Sequence, residues 1–472
     1  MTSHRAVTVP VAAVCLALAV AGCTTQTASD DDTGAAASTP PAGDSITVWT
    51  LEDVQDRITA TEEITEAFTA ESGIEVELVA VAEDQFGQLL TSAAAEGDLP
   101  DVISALGLSG VRSLAVDDLV DTRTTASIID SLGEETFSPA ALELASDGDT
   151  SLAVPSDAWA QLVLYRTDLF EEAGLAPPDT YDALLEAART LDSEGVAGIA
   201  AATTPGDTFT QQTFEHVALA NDCQLVDDAG DVTLDSPECV EAFDVFNELI
   251  TQYSVPGNQD VDTTRATYFA GQSAMVVWSS FLLDELAGLR DDALPTCPEC
   301  TADPAFLAEN TGVVGAIGGP SGEPAQYGDV TSFVVTAGAD AAASTQFVEF
   351  MMGEAYPDWL ALAPEGKIPV RAGTAENPEE FVEAWQGLDA GVDRKAPLVD
   401  FYSPEVIDGI VESTGTIDRW GLPQGQGALV GATLGELPVP EVLGEMLAGS
   451  LTPEEAAAAA DAQVTEIAES LE

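Results

Sequence analysis

Between Ile46 and Ile103 the hydrophobic period of the chain changes repeatedly, and this alternation restricts the fold more than any other feature. Ile46-Thr47-Val48-Trp49-Thr50 is short and β-rich, as a strand should be. From about Thr61 the pattern becomes helical, with Ile64 and Phe68 on one face and Gly73 as the stop. Ile74 to Val79 then alternates apolar and charged residues, the mark of a half-buried strand. Phe86, Leu89, Leu90 and Ala93 recur at helical spacing, and Asp98-Leu99-Pro100-Asp101 turns the chain into a third short strand at Val102-Ile103. Strand, helix, strand, helix, strand is a right-handed parallel α/β unit. Sheets of this kind bind ligands beyond the carboxyl ends of their strands. Trp49 and the loop after it, with Glu52 and Asp53, are therefore expected at the mouth of a cleft.

The same character continues along the chain. Leu152 to Pro155 reads as a strand running into Ser156-Asp157-Ala158-Trp159, followed by a second at Leu162 to Tyr165. Thr180 starts a helix with Tyr181, Leu184, Leu185 and Ala188 on one face. Ala274 to Trp278 is a buried strand ending in Ser279-Ser280, and Thr331 to Val335 is another. At the end, Thr452, Pro453 and Glu455 form a capping box, and Val464, Ile467 and Leu471 supply the apolar face of the last helix.

With 472 residues and 46% hydrophobic side chains, the chain can build two or three sizeable cores. Its charge is extreme: 13 Lys and Arg against 83 Asp and Glu, a net −70. Such a surface repels nucleic acid and anionic lipid, which excludes both as partners, and it implies a saline exterior where salt screens the self-repulsion. The lysines are confined to Lys367 and Lys395. Beyond the first residues the only histidine is His216, inside a helical pattern, which reads as packing or helix surface rather than as a catalytic base. Neither GxxxxGK[ST] nor GxGxxG occurs. The expectation is therefore no catalytic residue, no metal and no cofactor. The enzyme alternative is a carboxylate pair acting on a glycoside.

At the amino terminus Arg5 precedes an apolar stretch from Ala6 to Val20, then Ala21-Gly22-Cys23, then a polar tail from Thr24 to Asp44. This is a signal peptide, too short for a stable membrane span. Its small-small-Cys ending resembles a bacterial lipobox. That resemblance implies a signal over residues 1–22, lipid on the Cys23 thiol, and a disordered tether over 23–44 that holds a soluble body on the outer face of the cytoplasmic membrane. Cys15 leaves with the signal, so Cys223, Cys239, Cys297 and Cys300 remain. An even set outside the cytoplasm reads first as disulfides: Cys223 with Cys239 at the base of a hairpin, and Cys297 with Cys300 across Pro298-Glu299. A four-cysteine zinc site or a CxxC redox centre are the alternatives.

Several segments in order resemble the extracellular solute-binding proteins of ABC importers, in the sugar-binding cluster that includes the maltose-binding proteins. They are Leu164-Tyr165-Arg166-Thr167-Asp168-Leu169-Phe170-Glu171-Glu172-Ala173-Gly174-Leu175 with Pro177 to Tyr181, Ala94 to Val102, Gly271 to Trp278, and Gly366-Lys367-Ile368-Pro369-Val370-Arg371. The resemblance implies an α/β, two-lobed fold, each lobe a mostly parallel sheet flanked by helices, with the ligand in the cleft between them. The lobes are expected at 45–154 with 323–369, and at 155–322 with 370–472. It also implies hinge closure, a permease in the membrane as partner, and a monomer.

Sugar rings present apolar CH faces and hydroxyl rims, so a site for them needs aromatic platforms beside carboxylates. Trp49, Trp159 and Trp278 lie at strand ends or crossings, with Asp53, Asp157, Ser279 and Asp329 at the same ends. Arg371, one of few cations, is expected to pair with Asp157 or to meet ligand hydroxyls, with a structural ion pair as the alternative. Trp385, Tyr402 and Trp420 are candidates for a third wall, and Trp359 for helix packing. The expected function is capture of a neutral mono- or oligosaccharide, with another uncharged polyol or osmolyte as the nearest alternative ligand.

Overall fold

The structure, a computed structural model, describes residues 42–471, so the expected signal peptide, Cys23 and all but the last three residues of the expected tether lie outside the described residues. Among those residues no helix is long and apolar enough to cross a membrane.

Nine strands form one hydrogen-bonded network: β1 (Ser45–Thr50), β2 (Glu75–Ala80), β3 (Val102–Leu106), β4 (Val154–Arg166), β5 (Met275–Ser279), β6 (Thr311–Val314), β7 (Gln326–Val335), β8 (Ile368–Pro369) and β9 (Ile417–Asp418). The opening unit is as the periodicity predicts. β1 is central and parallel to both neighbours, with Val48 opposite Leu78 on β2 and Val102 on β3. The intervening helices Gln55–Ser72 and Glu83–Glu96 end at Gly73 and Gly97, whose left-handed backbone lets each N–H reach back to the last helical turn.

β3 continues antiparallel onto β7, and β7 onto β4, from Val154 opposite Phe333 to Ala160 opposite Gly328. At that point β4 changes partners. From Gln161 opposite Ser279 to Tyr165 opposite Met275 it pairs with β5, and Val163 to Arg166 also pair with β6. One 13-residue strand thus belongs to two sheet halves. β8 joins it at Asp157 and Ala158, and β9 runs parallel to the start of β7. Three extended segments therefore meet side by side around Asp157, Asp329 and Pro369.

Helices cover both halves. Ile46, Val48, Ile64 and Phe68 pack with Phe347, Met351 and Trp359 on one side of the first half. Phe86, Leu90, Val111, Leu114 and Val334 close its other side. Around the second half, Phe214, Phe243, Phe246, Trp420, Leu443, Val464 and Ile467 share a core, each buried side chain of this size contributing about 1.5–3 kcal/mol. The last helix, Pro453–Leu471, has the expected capping box: the Thr452 N–H donates to Glu455 Oε2 at 2.9 Å and the Glu455 N–H to Thr452 Oγ1 at 3.2 Å. Leu471, expected on its apolar face, is instead 51% exposed at the last residue of the helix. Both disulfides form, Cys223 with Cys239 and Cys297 with Cys300, all four residues buried. The first closes a loop worth about 3 kcal/mol in the chain-entropy account.

Candidate functional site

A cavity of about 310 Å³ lies where the three extended segments meet the carboxyl ends of β1 and β3. Most of its walls come from strand ends or crossings. β1 runs out into Leu51, Glu52 and Asp53; β3 contributes Ala105 and Gly107; β4 contributes Asp157 and Trp159; β7 contributes Asp329 and Thr331. Phe281, just after β5, and Gly366 and Lys367, just before β8, complete it with Arg57 and Glu83. Its volume equals that of roughly ten waters.

Trp159 is the flat surface of this cavity. It is half-buried and held at an angle by Phe281 (centroids 6.5 Å) and Tyr327 (5.8 Å). Phe281 is in turn seated against the backbone of Gly366; a Cβ there would fall 1.9 Å from a ring carbon, so only glycine permits this approach. Ala105 sits at φ 56° inside an irregularity of β3, left-handed backbone that costs a non-glycine residue about 1–3 kcal/mol.

The floor is a buried charge cluster. Lys367 Nζ lies 2.7 Å from Glu52 Oε1 and 3.3 Å from Asp157 Oδ1, above the Trp359 ring at 4.2 Å from its centroid. Arg57 reaches Glu52 Oε2 at 3.2 Å. Asp157 Oδ2 accepts from the Trp359 indole N–H (2.8 Å) and the Ser156 hydroxyl (2.6 Å), which satisfies the side of the carboxylate turned from Lys367. Burial pushes the Glu52 carboxyl up, but Lys367 and Arg57 outweigh it and hold the group below the usual carboxylate range. Burial likewise pushes the Lys367 ammonium down, and Asp157 and Glu52 outweigh it, so that it stays charged well into alkaline pH. A second cation, Arg419, stands behind Trp159. It lies 4.5 Å over the Tyr327 ring, 3.4 Å from Glu215 and 3.6 Å from Asp329 Oδ1. Asp329 Oδ1 also accepts the Leu108 and Val330 N–H groups, while Oδ2 lies beside Gly107.

Of the residues expected from sequence, Asp53, Asp157, Trp159 and Asp329 come together here. Trp49 does not: it is in register with Val79 and Ile103 and packs, half-buried, against the Val81–Phe86 cluster. Trp278 is buried under Phe209 and donates its indole N–H to the Val261 carbonyl at 3.2 Å. Ser279 pairs with Gln161 in the ladder and does not line the cavity. Arg371 is the clearest correction. Its guanidinium donates to Thr136 Oγ1 (3.0 Å) and to the carbonyls of Leu132 (2.6 Å) and Met352, between the rings of Phe137 and Phe381. The pairing with Asp157 expected of it is made by Lys367.

Trp385, Tyr402 and Trp420 are not a third wall either. Each is buried and donates to a carbonyl, of Pro364, Leu283 and Cys223 respectively. Trp359 packs under the helices as expected and also carries Lys367. His216 is a packing residue: Nδ1 accepts the Tyr327 N–H at 3.2 Å, and burial drives its pKa down to about 3, so it is neutral. Sequence reasoning passed over Lys367 as a site residue, although its being one of two lysines in so acidic a chain was a usable signal. It also missed Phe281 and Gly366, which nothing local distinguishes.

Over residues 53–356 the chain matches the profile of the bacterial extracellular solute-binding proteins. A protein of Escherichia coli (strain K12), YcjN, whose name provisionally assigns it as an ABC transporter periplasmic-binding protein, is 28% identical over 307 residues. That alignment takes in 63% of this chain and 66% of YcjN, just under two thirds of its length. Among solved structures, the GacH receptor of Streptomyces glaucescens GLA.O, described with acarbose, is 18% identical with a TM-score of 0.64, covering 90% of this chain and 98% of its own. The cyclic alpha-maltosyl-1,6-maltose binding protein of Arthrobacter globiformis is 20% identical with a TM-score of 0.65, at 90% and 98% coverage. At these identities the likeness is one of fold, and the fold is the expected α/β, two-lobed architecture. With the profile covering well over half of its length, the chain belongs to the family of bacterial extracellular solute-binding proteins.

Proposed function

We propose that this protein captures a neutral mono- or oligosaccharide in the cavity beside Trp159 and presents it to the permease of an ABC importer. The observation that carries this reading is the half-buried Trp159 ring among carboxylates at strand ends. A pyranose laid on the indole buries its apolar CH face, and its hydroxyls donate to Asp53 and to the free oxygen of Asp329. Lys367 and Arg57 serve as donors to ring and glycosidic oxygens. They also neutralise Glu52, so the floor can lose water without leaving a bare carboxylate. The printed names of the structural neighbours, which refer to acarbose and to a cyclic maltosyl-maltose, support the same ligand class. In this reading the lobes are residues 45–154 with 323–369 and 155–322 with 370–472. They bend toward each other where β4 changes partners, and the body is a monomer held at the outer face of the cytoplasmic membrane through a lipid on Cys23.

The test begins with a thermal-shift screen of carbohydrates and polyols, since a ligand that binds only the folded state raises the melting temperature by mass action. Calorimetric titration of Trp159→Ala with the best ligand should show affinity at least tenfold weaker, the loss of about 2 kcal/mol expected of a buried aromatic anchor, with unchanged circular dichroism. Unchanged affinity would remove Trp159 from the site. Turnover of an oligosaccharide by the purified protein would replace binding by catalysis.

A further inference from the structure

Arg419 does not line the cavity, yet it adjoins two of the groups that give the cavity its chemistry, Asp329 directly and Trp159 through Tyr327. It is 3% exposed and follows β9 (Ile417–Asp418), which lies against the start of β7. That approach requires glycine at position 328, where a Cβ would fall 2.7 Å from the Trp159 carbonyl oxygen and 2.9 Å from the Ile417 side chain. Glu215, buried on the helix Thr208–Leu219, anchors the guanidinium. Its Oε1 accepts from Arg419 Nε at 3.4 Å and from the Trp420 N–H at 2.9 Å. Arg419 Nη1 donates to the Gly328 carbonyl at 3.4 Å, and Gly328 is paired with Ala160, where β4 changes partners.

Two contacts lead from this anchored cation to the cavity. The guanidinium lies 4.5 Å from the centroid of Tyr327, and the Tyr327 ring bears on Trp159 at 5.8 Å. Nη1 also lies 3.6 Å from Asp329 Oδ1, which already accepts the Leu108 and Val330 N–H groups. With Oδ1 so engaged, Oδ2 is the oxygen left for a donor in the cavity. Trp159 and Asp329 stand opposite each other on β4 and β7, so their side chains leave the same face of the sheet.

We propose that Arg419 is a positioning residue of this site: one guanidinium, anchored by Glu215, sets the tilt of the Trp159 ring through Tyr327 and turns the free oxygen of Asp329 toward the cavity. What those two groups hold rests on the proposed carbohydrate function; how they are held does not. A guanidinium suits the place because it is flat enough to stack on Tyr327, offers several donors in one plane and is weakly hydrated, whereas an ammonium is a compact, strongly hydrated charge. Burial pushes the Asp329 carboxyl up, and Arg419 supplies the first of the opposing pulls, so the same group favours the charged form of the carboxylate.

The test has one arm without ligand and one with it. In the first, the full chain is labelled with 5-fluorotryptophan, and the fluorine resonance of Trp159 is identified as the one lost in Trp159→Phe. Arg419→Gln should shift or broaden that resonance and leave those of Trp49 and Trp385 in place. An unmoved Trp159 resonance in folded Arg419→Gln would overturn the proposal. Should Arg419→Gln fail to fold, Tyr327→Leu, which breaks only the link between guanidinium and indole, and Arg419→Lys are read in the same way. The second arm is calorimetric titration with maltose, or with the sugar of largest effect in the screen if maltose does not bind. Arg419→Gln and Asp329→Asn should each weaken binding about tenfold, and the double variant by clearly less than the roughly hundredfold product, because both changes break the same link. Fully multiplicative losses, or native affinity in Arg419→Gln, would overturn the proposal. If no sugar binds the native protein, the carbohydrate function falls, while the fluorine spectra still decide whether Arg419 positions Trp159.

Discussion

Lys367 and Arg371 flank the strand Ile368–Pro369, four residues apart, and each is 3% exposed, yet they are buried for different reasons. Lys367 is a point charge between two carboxylates at the floor of the cleft. Among the described residues, Arg371 meets no carboxylate within salt-bridge distance. Its planar fork closes off the carbonyls of Leu132 and Met352 and the Thr136 hydroxyl, and burial lowers its pKa against the weaker opposing pull of Tyr356 and Glu380. The guanidinium offers five donors in a rigid plane and is weakly hydrated, so carbonyls and ring faces can replace its water; an ammonium needs full counter-charges. In a chain with so few cations, one neutralises two carboxylates at the floor of the candidate site and the other ties helix ends together.

The comparison breaks most sharply at Lys367. Lys367→Met should destabilise the fold by about 3–5 kcal/mol, because Glu52 and Asp157 are left as buried charges. Urea unfolding measures this, and adding Asp157→Asn and Glu52→Gln should restore much of the loss. A variant as stable as the native protein would mean that the carboxylates do not depend on the lysine. Arg371→Met should cost less, about 1–3 kcal/mol from unpaired carbonyls, and should leave ligand affinity unchanged. Weakened affinity in a folded Arg371→Met protein would return that residue to the cleft.

The pH response sharpens the same contrast. Glu52 is held below its unfolded value, so its contribution is complete above roughly pH 4 and is lost as pH falls through the lowered folded value. Glu52→Gln should flatten that acid limb in a melting series, and Arg371→Met should not. The smallest effect concerns salt. The net charge of −70 should make the native protein more stable as salt is added, to a degree set by surface repulsion. Lys367→Met and Arg371→Met should share the native salt slope, since both changes lie beneath the surface. A melting temperature that stays flat up to molar salt would refute the high-salt reading of the composition.

The legible parts of the fold were those with a period or a cap. The unit from Ser45 to Leu106, the capping box at Thr452, and the aligned acids and tryptophan around Asp157 and Trp159 all follow from residues within a few positions of one another. Trp49 and Trp278 were misjudged for one reason. A strand end in sequence does not say which side of the sheet the side chain takes, and a turn of one residue exchanges cleft for core. Arg371 was misjudged because Lys367 and Arg371 lie four residues apart on the same segment, and only packing decides which of them meets Asp157.

Period, caps and glycine stops determined that this chain folds as α/β layers with its candidate site at strand ends, since each acts through neighbouring residues on the same helix or strand. The tertiary structure alone decided which cation meets which carboxylate. Glu52, Asp157 and Lys367 come from three segments far apart in the chain, and so do Phe281 and Gly366. Their partnership depends on how three crossing strands lie side by side, and the strength of a buried charge pair changes so steeply with distance and desolvation that no local pattern encodes it.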